Sequence, residues 1–173
     1  MNPWITRPQA DEYAPYYAPY ISQLGEGDLL AMLNRQEEET VKFLGELPEE
    51  RLRHRYAPGK WSVKEVLGHV MDGERMFAYR ALRIARGDTT PLPGYDENTF
   101  IQHSDFDTRP IADLLAEYRS VREATLTLFR PMTETMLARR GTANDKTATP
   151  RALAWIIAGH EAHHLDVVRT RYL

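Results

Sequence analysis

The stretch WSVKEVLGHVMDGERMFAYR, residues 61–80, contains the clearest helix start in the sequence. Ser62 and Glu65 have the spacing of a capping box, in which each side chain accepts a hydrogen bond from a backbone N–H of the first turn. Trp61 and Val66 have the spacing of a hydrophobic staple, which fixes the direction from which the chain enters the helix. Apolar residues then recur three and four positions apart, so we predict a long amphipathic helix that begins at Ser62.

Three other segments show the same helical spacing of apolar residues. The four predicted helices span residues 28–46, 62–86, 110–131 and 149–173. Pro110 and Pro150 support two of the starts, because proline is accepted in the first turn of a helix. No segment shows convincing strand alternation with hairpin turns. Four helices that must each cover an apolar stripe predict an all-α fold, a four-helix bundle.

The rest of the chain consists of an N-terminal arm and one long connection. Prolines alternate with tyrosines in residues 1–27, and since each proline removes a donor and fixes φ, we expect short turns that pack on the bundle. Residues 88–108 contain prolines and a glycine and show little periodicity. A connection of this length is typically functional, so we expect it to cover a site. No internal repeat or domain boundary is evident, which predicts a single domain over residues 1–173.

Composition limits the possible functions. The chain has 173 residues, of which 42% are hydrophobic and 27% charged, as in an ordinary globular domain. Its formal charge of −3, without long runs of like charge, argues against nucleic-acid binding. Neither a secretory signal nor a membrane-spanning apolar stretch is evident, which predicts a cytoplasmic protein with no membrane partner. Cysteine is absent, so any metal would have histidine and carboxylate ligands.

His160 and His164 are the strongest candidate metal ligands. Four positions apart on a predicted helix, they are neighbours on one face, inside its apolar stripe. Unpaired imidazoles there would carry a desolvation penalty that a metal would relieve. His69 is the best third ligand, since it lies at the edge of the apolar stripe of its helix and open catalytic sites usually have three protein ligands. The residues alone leave two alternatives open, a metal site and core histidines satisfied by hydrogen bonds.

The other histidines are poorer candidates. His54 lies among arginines, His103 lies in the long connection, and His163 is turned outward from the pair. The stretch His160–His164 also matches the H-E-x-x-H signature of zinc peptidases. Only nine residues follow it, and they lack the further ligand that such enzymes place downstream, so a peptidase is not expected.

Glu161 and Asp72 are the candidate catalytic residues, as a general base or as partners that orient ring nitrogens. Glu74 is a further candidate partner. A solvated position on a helix is the simpler interpretation for each carboxylate taken alone. Trp61 is expected to act as the staple rather than as a platform for a substrate. The arginines of the same helix are expected to form surface ion pairs rather than to bind an anionic substrate: Arg75, Arg80 and Arg83.

Several of these motifs together resemble the DinB superfamily, over about residues 13–173. The segments that carry the resemblance are YAPGKWS (56–62), VKEVLGH (63–69), ALRIARGD (81–88), PLPGY (91–95) and GHEAHH (159–164), with Asp72, Glu74 and Arg75 between them. The most specific are K-W-S-x-x-E-x-x-x-H and the terminal H-x-x-x-H.

The resemblance implies a four-helix bundle of up-down-down-up topology, as in YfiT-type proteins, with a divalent metal held by His69, His160 and His164. Zinc, nickel, manganese and iron are all candidates, because imidazole suits many metals. The resemblance also implies a small-molecule substrate. Family members often pair, so a homodimer is expected, with the tyrosines of the arm either in its interface or capping the bundle.

Three functions are compatible with such a site. The first is thiol-dependent S-transfer, as in family members that use mycothiol or bacillithiol, with a low-molecular-weight thiol as co-substrate. The second is hydrolysis by metal-activated water, as expected for the YfiT type. The third is a non-catalytic metal-binding bundle of the stress response. An open site with three ligands favours the first two, because a structural site is normally closed by a fourth protein ligand.

Overall fold

Four helices of 17 to 23 residues form the framework of the fold. The computed structural model describes residues 2–173. Its helices are α1 (Ala18–Ser22), α2 (Leu29–Gly45), α3 (Glu49–Leu52), α4 (Val63–Ala85), α5 (Glu97–Gln102), α6 (Ile111–Phe129), α7 (Glu134–Leu137) and α8 (Pro150–Val167). Two short strands, β1 (Gly141–Ala143) and β2 (Lys146–Ala148), precede α8, and a π-helical turn (Val168–Tyr172) continues it. The long helices α2, α4, α6 and α8 correspond to the four predicted ones.

The helix starts follow the predicted capping chemistry. The Ser62 hydroxyl accepts a hydrogen bond from the Glu65 N–H, and the Glu65 carboxylate accepts one from the Ser62 N–H, which completes the capping box of α4. Asp28 caps α2 by accepting from the Leu30 N–H, and Thr149 caps α8 by accepting from the Ala152 N–H. Pro110 stands just before α6 rather than in its first turn. Side-chain caps therefore mark the start of three of the four long helices, and α6 begins without one.

Helices α2 and α8 are parallel neighbours. The Gln36 side chain donates to the Ala158 carbonyl at 2.9 Å, and one turn further along both helices Thr40 donates to Glu161 at 2.6 Å. Both positions advance together along the two helices, so the first and the last long helix run in the same direction.

Helices α4 and α8 are antiparallel. At the beginning of α4 the Trp61 carbonyl accepts a hydrogen bond from the Tyr172 hydroxyl, beyond the end of α8, at 2.8 Å. Further along α4, Gly73 lies against His160, which is nearer the start of α8. Residue numbers therefore increase along α4 as those of the contacting residues in α8 decrease, so α4 runs antiparallel to α8 and to α2.

Helices α4 and α6 are parallel. Lys64 donates to the Arg109 carbonyl at 2.8 Å where both helices begin, and further along both helices Arg122 of α6 pairs with Glu74 of α4 at 2.8 Å. The connection between α4 and α6 must therefore return along the length of the bundle. The four directions together give the up-down-down-up topology that the resemblance implied.

The buried interior has two apolar clusters with polar residues between them. One cluster surrounds Trp155 and Phe129 and the other surrounds Leu67 and Tyr118. On each long helix, a buried polar residue lies between the residues that belong to one cluster and those that belong to the other. These residues are Thr40 of α2, Glu74 of α4, Arg122 of α6, and His160 and Glu161 of α8.

Although the sequence shows no convincing strand alternation, β1 and β2 pair as a short antiparallel hairpin beside the four helices. Its two-residue turn is formed by Asn144 and Asp145, which both have positive φ, 51° and 59°. Asparagine and aspartate tolerate this conformation and favour such hairpin turns. Strands of three residues are too short to show alternation, so this dipeptide was the available signal.

The arm packs on α8 through a close backbone approach. A Cβ atom at Gly159 would lie 2.2 Å from the carbonyl oxygen of Tyr20, so only glycine allows α1 to lie this close. Gln23 then donates to the Gly159 carbonyl at 2.6 Å. The arm thus brings its tyrosines beside the middle of α8. Residues 2–173 include no helix with the length and apolar run needed to cross a bilayer.

Candidate metal centre

Three histidines from α4 and α8 converge on one point. The Nε2 atom of His160 lies 3.0 Å from that of His69 and 3.1 Å from that of His164. One nitrogen from each of the three residues lies within 4.8 Å of the others. The antiparallel packing of α4 on α8 brings His69 to the pair, and the four-residue spacing keeps that pair on one face. The structure thus brings together the three histidines that the sequence selected.

Burial keeps the three imidazoles neutral. It lowers the pKa of His69 to about 4 and that of His164 to about 3. The pKa of His160 also lies well below its ordinary value, because of burial first and then because of the neighbouring histidines. Near neutral pH all three rings therefore carry lone pairs, which is the form that binds metal ions.

The donor set suits a divalent first-row metal ion. Imidazole nitrogens bind zinc at about 2.0–2.1 Å, and two such ligands at a tetrahedral angle stand roughly 3.3 Å apart. The two shortest nitrogen separations here, 3.0 and 3.1 Å, are close to that value. A cluster of imidazole nitrogens without a charged partner has few other ways to satisfy its lone pairs. The residues present therefore fit a metal ion with three protein ligands.

Gly73 makes room for the central imidazole. A Cβ atom at this position would lie 3.0 Å from Cε1 of His160, closer than ordinary van der Waals contact. On the other side, the Trp61 ring lies 4.8 Å from the His69 ring, between centroids. Trp61 therefore contacts a candidate ligand and lines the cavity in addition to the staple position expected for it.

The histidines open into a cavity of about 330 Å³. Its walls come from the arm, from α4 and from the connection at 88–108, which borders the site as expected. The lining is mainly aromatic, with a few polar groups. The aromatic residues are Tyr16, Tyr17, Tyr20, Trp61, Phe77 and Tyr95, and the polar ones are Arg80, Glu97 and Asn144. Asn144 belongs to the hairpin that the sequence analysis missed.

Glu161 is held away from this cavity by a buried ion-pair cluster. Its carboxylate accepts hydrogen bonds from Thr40 and Tyr118, both at 2.6 Å, and pairs with Arg122. Arg122 also pairs with Glu74 at 2.8 Å and is completely buried. The structure gives Glu161 and Glu74 these partners instead of the histidines. Arg122 and Tyr118 were not predictable as members of this cluster, because their partners are set by which helices are neighbours.

Asp72 likewise does not line the cavity. It is half-buried beside Arg75, with 3.5 Å between the guanidinium and carboxylate atoms, and burial raises its pKa. The carboxylate that does line the cavity is Glu97, at the start of α5. Glu97 is not among the predicted site residues, although it lies in the connection that was expected to cover the site.

The remaining histidines lie outside the candidate ligand set. His54 and His103 are exposed, and His163 is half-buried against the Tyr20 ring at 5.2 Å.

One expectation about the arginines of α4 was wrong. Arg75 pairs with Glu117 and Arg83 pairs with Asp88, as predicted for a surface. Arg80 is instead buried and lines the cavity. Arg80 follows His69 by eleven positions, about three helical turns, so it lies on the same face. That spacing was the signal available in the sequence.

Fold and site together define a helical bundle with a candidate three-histidine metal centre. The sequence model of the DinB superfamily matches residues 32–168, which is most of the chain. The chain belongs to the DinB superfamily.

Two solved structures from Bacillus subtilis have a similar fold. One is YfiT, described as a probable metal-dependent hydrolase with an unusual four-helix bundle topology, at 19% identity and a TM-score of 0.74, with 82% of each chain covered. The other is YjoA, a DinB-like protein, at 20% identity and a TM-score of 0.58, covering 83% of this chain and 87% of that one. No curated protein matches the chain.

Proposed function

We propose that the chain is a metal-dependent enzyme that transfers a low-molecular-weight thiol to a small electrophile in the three-histidine cavity. The observation that carries this proposal is that the lining described above contains no cysteine, serine, threonine or lysine. Tyr17, Tyr20 and Tyr95 stay protonated, since burial raises the pKa of Tyr95 to about 12 and also raises those of Tyr17 and Tyr20. Because the lining offers no thiol, alkyl hydroxyl or amine, the nucleophile, a thiol or water, comes from solution.

A bound divalent cation would supply the positive charge that lowers the pKa of a thiol or of water. The chain's residues do the rest. His69, His160 and His164 hold the ion, the aromatic walls limit access of bulk water, and tyrosine hydroxyls donate hydrogen bonds to the electrophile. In the overall reaction a carbon–sulfur bond forms as the bond from that carbon to its leaving group breaks. The leaving group keeps the electron pair, and the thiol proton passes to solvent.

The position of Glu161 supports thiol transfer over hydrolysis. Hydrolysis calls for a carboxylate that takes a proton from water near the metal. Glu161 was the first candidate for that role, and its oxygens are occupied by Thr40, Tyr118 and Arg122. A thiol is acidic enough to lose its proton at a metal ion without such a base.

Hydrolysis is the second candidate, and Glu97 is the observation that favours it. Its carboxylate lines the cavity, and its charge acts on His69, whose pKa it raises against the larger effect of burial. It could take a proton from water. The description of YfiT as a probable metal-dependent hydrolase is in line with this alternative.

One experiment separates the two reactions. Metal-loaded protein is assayed for displacement of chloride from 1-chloro-2,4-dinitrobenzene by cysteine, and for hydrolysis of p-nitrophenyl acetate without thiol. Whichever of the two activities the wild type shows, His160→Ala is expected to abolish it. Glu97→Gln is expected to leave thiol transfer intact, whereas it would impair hydrolysis about 100-fold or more. Glu123→Gln, an exposed carboxylate on α6, is the matched control.

Two outcomes would contradict the leading proposal. Ester hydrolysis that depends on Glu97, with no thiol transfer, would assign the chain to the hydrolases. Metal uptake that raises the melting temperature, without turnover in either assay, would support the non-catalytic bundle instead.

A further inference from the structure

Arg80 is a buried cation with an unused hydrogen-bond donor. Its side chain is 3% exposed. One terminal nitrogen donates to the Pro93 carbonyl at 2.9 Å, and Nε has no hydrogen-bond partner. No carboxylate within residues 2–173 forms an ion pair with it, in contrast to Arg75 and Arg83 on the same helix. An unpaired buried charge is costly, and it is usually retained for a ligand or for a reaction.

The other deeply buried arginine of the bundle shows what a structural role requires. Arg122 has carboxylates on two sides, Glu74 and Glu161, and a third acceptor in the Leu33 carbonyl at 2.9 Å. The fold therefore supplies counter-ions where a buried guanidinium serves only stability. Arg80 lacks this compensation, and it is the one that faces the cavity.

Position relates Arg80 to the histidines. It lies eleven residues after His69, about 16 Å further along α4 at the level of the backbone, and within about 20° of the same face. Side chains on a helix lean towards its N-terminus, which brings the guanidinium nearer the histidines. Both residues line the same cavity. A ligand at Arg80 can therefore extend along the cavity to the candidate metal centre.

The groups around Arg80 favour an acceptor. Burial raises the pKa of Tyr17 and of Tyr95, so both phenols keep their protons and can donate. The charge of Arg80 lowers the pKa of Tyr17 against the larger effect of burial, which shows that the two groups are close. Glu97 lines the same cavity but is exposed and does not pair with Arg80. The aromatic surfaces of Phe77 and the tyrosines leave an apolar middle between the two polar ends.

We propose that Arg80 binds a carboxylate of the substrate, so that the cavity takes a small carboxylic acid whose other end reaches the histidines. An arginine fork with a free Nε–H matches a planar carboxylate in shape and charge. This inference rests on the proposed function only in placing the reacting end at the histidines. Binding of a carboxylate to Arg80 itself requires neither a metal ion nor turnover.

Binding of benzoate to chelator-treated, metal-free protein tests this site. Benzamide has the same shape without the charge and is the matched ligand. Both are titrated by calorimetry or by ligand-observed NMR into wild type, Arg80→Gln, Arg80→Lys and the control Arg83→Gln, with circular dichroism to verify folding. Wild type and Arg83→Gln are expected to bind benzoate at least tenfold more tightly than benzamide. Arg80→Gln is expected to lose that preference, and Arg80→Lys to keep part of it.

Equal binding of benzoate and benzamide to wild type would overturn the proposal, as would full retention of benzoate binding in Arg80→Gln. If Arg80→Gln fails to fold, Arg80→Lys and the comparison of the two ligands on wild type still decide. Inorganic phosphate is titrated in parallel, and Arg80-dependent phosphate binding that is tighter than benzoate binding would exclude the carboxylate class. The binding experiment uses no metal, so a negative result in it does not contradict the proposed function. Likewise, a lack of enzymatic activity in the metal-loaded protein does not contradict carboxylate binding at Arg80.

Discussion

His69 and His160 place their Nε2 atoms 3.0 Å apart although 91 positions separate them in the chain. At the scale of single residues, the candidate centre depends on these two side chains and on His164. His69→Ala and His160→Ala are each expected to abolish stoichiometric metal binding, because two ligands rarely hold a divalent ion in a protein. Elemental analysis after gel filtration measures the metal content.

His54→Ala and His103→Ala are the controls for that experiment, since both side chains are exposed and lie outside the cavity lining. Both variants are expected to keep the metal. Full occupancy in His69→Ala would show that the three-histidine set is wrong.

Gly73 provides a subtler test of the same centre. In Gly73→Ala the new methyl group would meet Cε1 of His160 at 3.0 Å, so the imidazole has to move by a few tenths of an ångström. Disturbed ligand orientation typically costs about 10–100-fold in metal affinity, and we expect a loss of that size. Competition against a chelator indicator measures it. Ala78→Gly, a substitution on the same helix outside the cavity, should leave the affinity unchanged; an unaltered affinity in Gly73→Ala would mean that the ring adapts freely.

At the scale of elements, Glu12 joins the arm to the first turn of α8. Its carboxylate accepts hydrogen bonds from Thr149 at 2.8 Å and from Arg151 at 3.1 Å. Burial raises the pKa of Glu12, but these bonds and one from the Gln9 N–H outweigh it, so the pKa lies below its ordinary value. The unfolded state therefore takes up a proton at a higher pH than the folded state does. The stabilisation is complete above the unfolded pKa of about 4.5 and is lost as the pH falls through the folded pKa.

Glu12→Gln tests this contact. It is expected to lower the free energy of unfolding by about 1–3 kcal/mol at pH 7, and the difference from wild type is expected to shrink below about pH 4.5. Urea unfolding at pH 7, 5, 4 and 3.5 gives both values. Glu26→Gln removes an exposed carboxylate of the arm, and it should cost less than about 1 kcal/mol. A difference for Glu12→Gln that does not change with pH would assign the contact to packing instead of charge.

The elements also show what the sequence could reveal. Caps and apolar spacing depend on residues close together in the chain, so the four long helices were predictable, with their starts at Asp28, Ser62 and Thr149 and near Pro110. The hairpin at 141–148 was not, because three-residue strands carry too little pattern. The histidines were found because a four-residue spacing is visible within one helix. Arg80 was expected on the surface, although its spacing from His69 places both on one face; its lack of an ion-pair partner depends on neighbours from other elements and could not be predicted.

At the scale of the whole molecule, the Arg122 cluster connects all four long helices. Leu33 and Thr40 belong to α2, Glu74 to α4, Arg122 itself to α6 and Glu161 to α8. No local pattern announces such a cluster, because each partner looks like an ordinary charged helix residue until the topology is known. Removing the cation would leave two buried carboxylates without compensation.

Arg122→Ala is therefore expected to destabilise the fold by about 3–5 kcal/mol. Arg119→Ala, one turn earlier on α6 and exposed, is the matched control and should cost less than about 0.5 kcal/mol. Urea or thermal unfolding measures both. A cost below about 1 kcal/mol for Arg122→Ala would show that the cluster contributes little to stability.

The close packing of the arm on α8 at Gly159 has a consequence for how the substrate range of this protein could change. The match to the DinB superfamily begins at residue 32, whereas three tyrosines of the cavity wall lie at residues 16–20. The ligands of the candidate centre lie within the matched region, whereas one part of the wall facing them comes from the arm that precedes it. Exchanging the arm for another segment of similar length would change which molecules fit, while the imidazoles and Arg80 stay in place. The contribution of the arm to selectivity can in this way change independently of the residues that carry the chemistry.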